Sequence, residues 1–484
     1  MKYYPVKKLD ELTSNIVELM PPLESFFLTN DNIKEVSKKL YAYDPVEIYK
    51  RRQKYFISLL QQKIKRLFSE GERKTIALFR EEKSGLAGGV VDHHGILNHP
   101  VLIGVNIVPH FFRMFNRSIH GDILTFATGN VPLNDPFHRR GFMVRDRKVN
   151  LFPKNDKNKI VFGLSKYDFK FIESLQRTHQ WKFHSSEVQK FLEKVQKLIS
   201  EIDFSTCETL GDQITKINFH LWPLLFNTEA RDGVSKLISI EYDDIVIEYL
   251  LYVLNNDPKS FIYQMLFDND FQEKTLDYFN RKTGAWNSEK DLGTHFFWGI
   301  SANHEHLRMK LENGKLRSND NSFAIEWSID GLSKALRNRR ILPGMFLKFS
   351  LLLFYMGLKP FAGYGSGNYL AVLQKDMIEF LQDIYPQEVD SIKSITVNNI
   401  TSVPVLLQRG SDGKIKNYFA FDIMFDGGLP KGYFGKINSV PLKYFMAPNL
   451  NAIYDYAFNL YGQGKKADIV AISEDYEPLL REVI

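Results

Sequence analysis

The sequence predicts an α/β protein: a mostly parallel sheet core with helical insertions and a C-terminal α+β extension. Three observations predict it. Apolar runs of strand length at residues 85–91 and 123–128 end in turns rich in Gly, Asn and His. Stretches with apolar residues every three or four positions lie before and after them, which is the rhythm of βαβ units. The polar motifs fall just beyond the runs, where the carboxyl ends of parallel strands gather ligands.

Taken in order, residues 31–70 predict helix, because Phe56, Leu59, Leu60, Ile64, Leu67 and Phe68 recur at helical spacing with Lys and Arg between them. Thr75-Ile76-Ala77-Leu78-Phe79 predicts a buried strand and 85–91 a second. The run 123–128 predicts a third, stopped by Gly129-Asn130 and Pro132. From 165 to 290 the pattern is helical, with Val188, Leu192, Val195 and Ile199 on one face behind the capping residues Ser185-Ser186. Residues 323–327 predict a short strand, and a second mixed unit runs from 342 to 367. Val405-Leu406-Leu407 and Tyr418-Phe419-Ala420-Phe421 flank Gly410-Ser411-Asp412-Gly413, a hairpin signal. The expected division is an N-terminal helical segment (1–75), the first half of the core (76–165), a helical insertion (166–290), the second half of the core (291–390) and the C-terminal extension (391–484).

At 484 residues the chain has length for two or three domains, and 44% apolar with 25% charged residues is the composition of a folded protein. The net charge of +6 is spread without a continuous basic stripe, which argues against nucleic acid as a partner. A single cysteine, Cys207, excludes an intramolecular disulfide and a Cys-cluster metal site. It reads as a packed thiol. The start, Met1-Lys2-Tyr3-Tyr4-Pro5, lacks the apolar core of a signal peptide, and the longest apolar stretch, 345–358, carries Lys348 and is too short to span a bilayer. We therefore expect a cytoplasmic protein with no membrane partner.

The segment Val90-Val91-Asp92-His93-His94-Gly95-Ile96-Leu97-Asn98-His99-Pro100 is the most informative. It puts three imidazoles and a carboxylate at a strand-to-helix turn, and His is the side chain that titrates nearest neutral pH. Asp92, His93, His94 and His99 are thus candidate catalytic residues. His94 and His99 move protons or hold phosphate at the helix N-terminus, with Asp92 orienting an imidazole. Capping and buried hydrogen bonding are the plainer alternative.

Asn130, Asn134, His138, Arg139 and Arg140 follow the next strand. The Arg fork fits a carboxylate or phosphate in two bonds, so Arg139 or Arg140 is expected to clamp an acidic substrate. Gly363, Gly365, Ser366, Asn368 and Tyr369 belong to a glycine turn that admits close backbone approach to a ligand; a structural turn is the alternative. The pattern matches neither dinucleotide nor P-loop motifs, so no particular nucleotide is implied. Arg337, Arg339 and Arg340 are an anion site or solvated helix-end charge. His304-Glu305-His306 has the wrong spacing for a helical zinc pair, and only with His295 on a strand does it approach a metal site.

This order of motifs resembles the cysteine-adding enzyme family of bacillithiol biosynthesis (the BshC family). That family carries Gly-Gln-Gln-Ala-Gly-Leu-x-x-Gly-Pro-Leu after an early strand, where this chain has residues 92–101, one residue fewer. Its next strand ends in Glu-Asp-His-Asp, which is absent from 129–134 here. Its Arg-Pro step and Gly-Pro-Gly-Glu-x-x-Tyr correspond to Arg340-Ile341-Leu342-Pro343 and to Gly363-Tyr364-Gly365-Ser366-Gly367-Asn368-Tyr369, with Ser366 in place of the Glu.

The similarity spans residues 80–375 as an order of elements. It implies a Rossmann-like core and a carbon–nitrogen bond-forming ligase that joins a cysteine-like amino acid to an amine-bearing small metabolite. The partners would be a small anionic metabolite and an amino acid. A nucleotide cofactor and a homodimer stay open, and a metal is the less favoured cofactor. Two competing expectations are a metal-dependent hydrolase or lyase built on His93, His94 and His99, and a non-catalytic binding protein on a degenerate enzyme fold.

Overall fold

A computed structural model describes residues 7–41, 43–76, 85–97, 99–114, 122–137, 140–168, 184–231, 234–280, 282 and 296–484; of Tyr41, Val91 and Asp92 it describes the backbone. Its strands are β1 (Ala87–His93), β2 (Ile123–Thr128), β3 (Gly141–Val144), β4 (Arg147–Asn150), β5 (Leu237–Glu241), β6 (Phe297–Ile300), β7 (His306–Glu312), β8 (Lys315–Ser318), β9 (Ala324–Glu326), β10 (Ile341–Pro343), β11 (Lys359–Phe361), β12 (Leu407–Arg409) and β13 (Ile415–Asn417).

The apolar runs make a four-stranded sheet in the order β11-β1-β2-β5, parallel throughout. A parallel strand covered on both faces reads as an unbroken apolar run, and β5 is buried at all five positions. Its alternate residues face two separate apolar cores: Leu237 joins one, Ile238 and Ile240 the other. The helix Pro100–Ile107 packs on the first face so closely that a Cβ on Gly89 would lie 2.5 Å from Val105. On the other face Phe56 of the helix Glu47–Leu67 meets Phe126 of β2 and Tyr249 of the helix Asp243–Asn256, with centroids 6.0 and 5.4 Å apart. β2 and β5 add successively to one side of β1, and β11 returns to the other. The order of strands therefore reverses between β1 and β11.

Two expectations about organisation are corrected. Residues 166–290 are not purely a helical insertion, since they supply β5 to the main sheet. A five-residue run buried on both faces has no alternation by which to distinguish strand from helix. Residues 291–390 add only β11 to that sheet; β6 to β10 form a separate antiparallel sheet, ordered β10-β6-β7-β8-β9. Its β7–β8 turn is Asn313-Gly314, both with positive φ (51° and 69°), the signature of a tight hairpin.

The 75–79 strand expectation falls partly outside the described residues. In the C-terminal segment the hairpin pairs Leu407 with Asn417 and Arg409 with Ile415, so Tyr418 has already left it and the helix Ala420–Phe425 follows. The stretch around Lys348 forms the helix Met345–Phe349 and continues as a fully buried π-helical turn, Ser350–Tyr355. No helix among the described residues is long and apolar enough to cross a membrane.

Candidate functional site

The carboxyl ends of all four parallel strands open on one cavity of ≈ 400 Å³. His93 is the last residue of β1 and Thr128 the last of β2; Asn130, Tyr242 and Gly363 follow β2, β5 and β11. The antiparallel sheet contributes Trp298 and His306, and the helix Met345–Phe349 contributes Lys348. The cavity sits where strand order reverses, because the loops leaving β1 and β11 diverge there to opposite faces.

Two helices begin at its wall. Pro100–Ile107 starts after β1 and Tyr364–Leu381 after β11. In the first helix Pro100 has no N–H and the Val101, Leu102 and Ile103 amides all bond back to His99, so it is the start of the second helix, with its partial positive charge, that suits an anion. Ser366 Oγ accepts from Gly363 N at 2.7 Å and so fixes the entry to the second helix.

The floor is a buried charge network. Asp243, fully buried, accepts from Gly129 N at 2.8 Å and Thr128 Oγ1 at 3.1 Å and pairs directly with the Lys348 ammonium. Lys348, also buried, donates to Thr128 Oγ1 at 3.3 Å and lies 4.9 Å from the centre of the Tyr242 ring. Burial opposes ionisation of Asp243, yet Lys348, a hydrogen bond with Glu241 and the Gly129 amide together hold its carboxyl below the usual range.

Glu241 behaves in the opposite way. Burial pushes it well above the usual range; the Lys63 ammonium pulls it down, and the Asp243 and Asp244 carboxylates push it back up. Its Oε1 accepts from Asp243 N at 2.7 Å, and Lys63 donates to its backbone carbonyl at 2.9 Å.

Two imidazoles face the cavity. His93 Nδ1 lies 2.9 Å from Asp135 Oδ1, an ion-pair distance without hydrogen-bond alignment. His306 donates from Nε2 to Asn130 Oδ1, and burial pushes its pKa down to about 4, so it is neutral at pH 7. A histidine beside a carboxylate, a fixed ammonium and the amides of a helix start around one space can move a proton beside a bound anion.

Of the residues singled out by sequence, the cavity brings together His93, Asn130, Gly363, Gly365, Ser366 and Tyr369. Others lie elsewhere. His94 is buried and donates from Nε2 to Gly211 O at 2.8 Å, because successive residues leaving a strand point to opposite faces. His99 caps the helix Pro100–Ile107, its Nδ1 accepting from Val101 N at 3.3 Å, and its ring meets Phe137 and Phe419.

Asn134 Oδ1 accepts from Lys148 at 3.3 Å; Arg140, at φ 62°, donates to Phe152 O at 3.0 Å. Arg340 lies over the Phe323 ring at 4.4 Å, while Arg337 and Arg339 reach Glu248 and Asp244, so the three forks do not converge. Asn368 is buried and bonds to Tyr461. His138, Arg139, His295 and the Asp92 side chain lie outside the described residues.

The metal expectation is not met by these positions. The three imidazoles of the 93–99 segment do not converge, and among the described residues no group of three or more His, Cys, Asp or Glu side chains is set to hold an ion. His304 sits in a left-handed turn (φ 60°) and His306 on β7, so they do not form a pair either.

Sequence reasoning missed Asp135, Asp243, Glu241 and the role of Lys348. The last had a signal: a lone lysine inside the apolar stretch 345–358 requires a buried counter-charge. The carboxylates that supply it stand at the end of the apolar run of β5. No protein-family model matches this sequence, and no curated protein matches it.

Proposed function

We propose that this chain is a cytoplasmic small-molecule enzyme on a Rossmann-like core, forming a carbon–nitrogen bond between an amine and an acidic metabolite such as an amino acid. The observation that carries the reading is the cavity at the strand-order reversal, where a histidine beside the Asp135 carboxylate and a helix N-terminus share one space. The order β5-β2-β1-β11 is that of the first four strands of a doubly wound sheet, which supports the Rossmann-like description. The resemblance to the cysteine-adding family supports the reaction class.

An ammonium cannot attack an electrophile until it loses a proton. His93 takes that proton, and the Asp135 carboxylate 2.9 Å away stabilises the imidazolium that forms. The acidic end of the second substrate lies against the amides that begin the helix Tyr364–Leu381, near Lys348. Asn130 and His306, both uncharged, orient it by hydrogen bonds.

The test is conversion of mixed amino acids and amine-bearing sugar conjugates, with and without nucleotide, read by mass spectrometry. Wild type is expected to form a conjugate that His93→Gln forms at least ~100-fold more slowly, the usual contribution of a general base, at an unchanged melting temperature. Equal rates in the two proteins would refute the assignment.

A further inference from the structure

We propose that Lys348 is a second reactive group of the cavity, condensing with the carbonyl carbon of a 2-oxo acid to form an iminium. This rests on the cavity being the substrate site. It goes further in naming a covalent step and the class of the acidic substrate.

A buried ion pair that serves only structure hides both partners. Here Asp243 lies behind the wall, whereas Lys348 lines the cavity and is the only lysine among the described residues that do so. The side chain is 4% exposed, so the amine is shielded from bulk water, as an imine must be. Its partner is held at two further points, by Gly129 N and Thr128 Oγ1, and so fixes the position of the Lys348 amine at the cavity wall. Lys348 also stands two residues before the π-helical turn Ser350–Tyr355, a distortion found disproportionately at functional sites. Trp298 and Phe349 line the same cavity with apolar surface suited to the substituent of the oxo acid.

The step balances without oxidant or reductant. His93, which lines the same cavity, takes one proton from the ammonium, and the freed Nζ pair attacks the carbonyl carbon. The carbinolamine hydroxyl then recovers that proton from His93 and leaves as water. One ammonium and one carbonyl become one iminium and one water. An amine deprotonated at His93 adds to the iminium carbon and expels Lys348, so carbonyl and amine yield an imine and water overall. The oxo acid's carboxylate lies at the start of the helix Tyr364–Leu381.

The experiment is reductive trapping with cyanoborohydride and phenylpyruvate, with pyruvate as the small comparator, read by intact mass and peptide mapping. Binding is followed in parallel as a shift in melting temperature. Lys348 is expected to be labelled about tenfold or more faster than exposed Lys190, since the cavity holds the carbonyl beside it. Lys348→Arg, which keeps the charge, is expected to lose that label. If Lys348→Arg does not fold, the ratio of Lys348 to Lys190 labelling in wild type decides alone.

Labelling of Lys348 no faster than of Lys190 overturns the proposal. With a melting shift, that outcome leaves the cavity as a binding site and removes only the covalent step. Without a shift, it removes the 2-oxo acid as well, and the cavity reading then stands or falls on the His93 experiment.

Discussion

The Lys348–Asp243 pair permits a quantitative test of how the site is held together. Asp243→Asn keeps the shape and the Gly129 and Thr128 contacts but strips the ammonium of its counter-charge. Lys348→Met does the reverse and leaves a carboxylate without its ammonium. Removing one member of a buried pair costs about 3–5 kcal/mol, because the other stays desolvated and unmatched. The double variant leaves no buried charge there, and such replacements are close to neutral.

The cycle should therefore close with a coupling of about 6 kcal/mol or more, because the double variant recovers nearly all that the two single substitutions lose. An exposed pair such as Lys375–Glu379, at 4.0 Å, should give about 0.5 kcal/mol. The assay is equilibrium urea unfolding followed by tryptophan fluorescence, with Trp298 reporting from the cavity wall itself. Additive single substitutions, or Asp243→Asn within about 1 kcal/mol of wild type, would refute the reasoning, because a matched buried pair predicts neither.

Two further outcomes follow from the same geometry. His306 has a folded-state pKa of about 4, below its ordinary 6.5, so the unfolded chain binds its proton first and stability falls as pH drops from 6.5 towards 4. The linked loss is about 3 kcal/mol; His306→Gln should flatten the acid limb by that amount in urea titrations, and parallel pH profiles would contradict it. A Cβ on Gly104 would lie 2.0 Å from the carbonyl oxygen of Val403, so Gly104→Ala should push the helix Pro100–Ile107 off its neighbour. A loss of about 3 kcal/mol is expected, and a thermal midpoint equal to wild type would show that the backbone yields freely.

The legible parts of the fold were those whose sequence has a local signal. β1 and β2 are apolar runs punctuated by polar turns, and the helix Ser186–Ser200 has its periodicity and its Ser185 cap, which accepts from Val188 N at 3.3 Å. β5 is an apolar run without alternation and was absorbed into a helical interval. β11, Lys359–Phe361, is too short for any periodicity and is a strand because β1 lies beside it. The antiparallel sheet was marked by Asn313-Gly314, a cue that the surrounding apolar pattern obscured.

At the site, sequence located the right segments but not the right side chains. Three histidines cluster between 93 and 99, yet only His93 faces the cavity, since the strand's alternation sends His94 under Gly211 and the helix start engages His99 as a cap. Arg140 is turned away by its left-handed backbone.

What the sequence determined by itself is the inventory: strand-length apolar runs, helix caps, a histidine-bearing turn after β1 and a glycine turn after β11. All are set by neighbours within a few residues, through periodicity and local hydrogen bonding. Only the tertiary structure decided that Asp135 would stand behind His93, that His306 would meet Asn130 from another sheet, and that Lys348 would find Asp243 across 105 residues of chain. Those meetings depend on strand order and on the cost of leaving a buried charge unmatched, and neither is encoded in any short stretch of the chain.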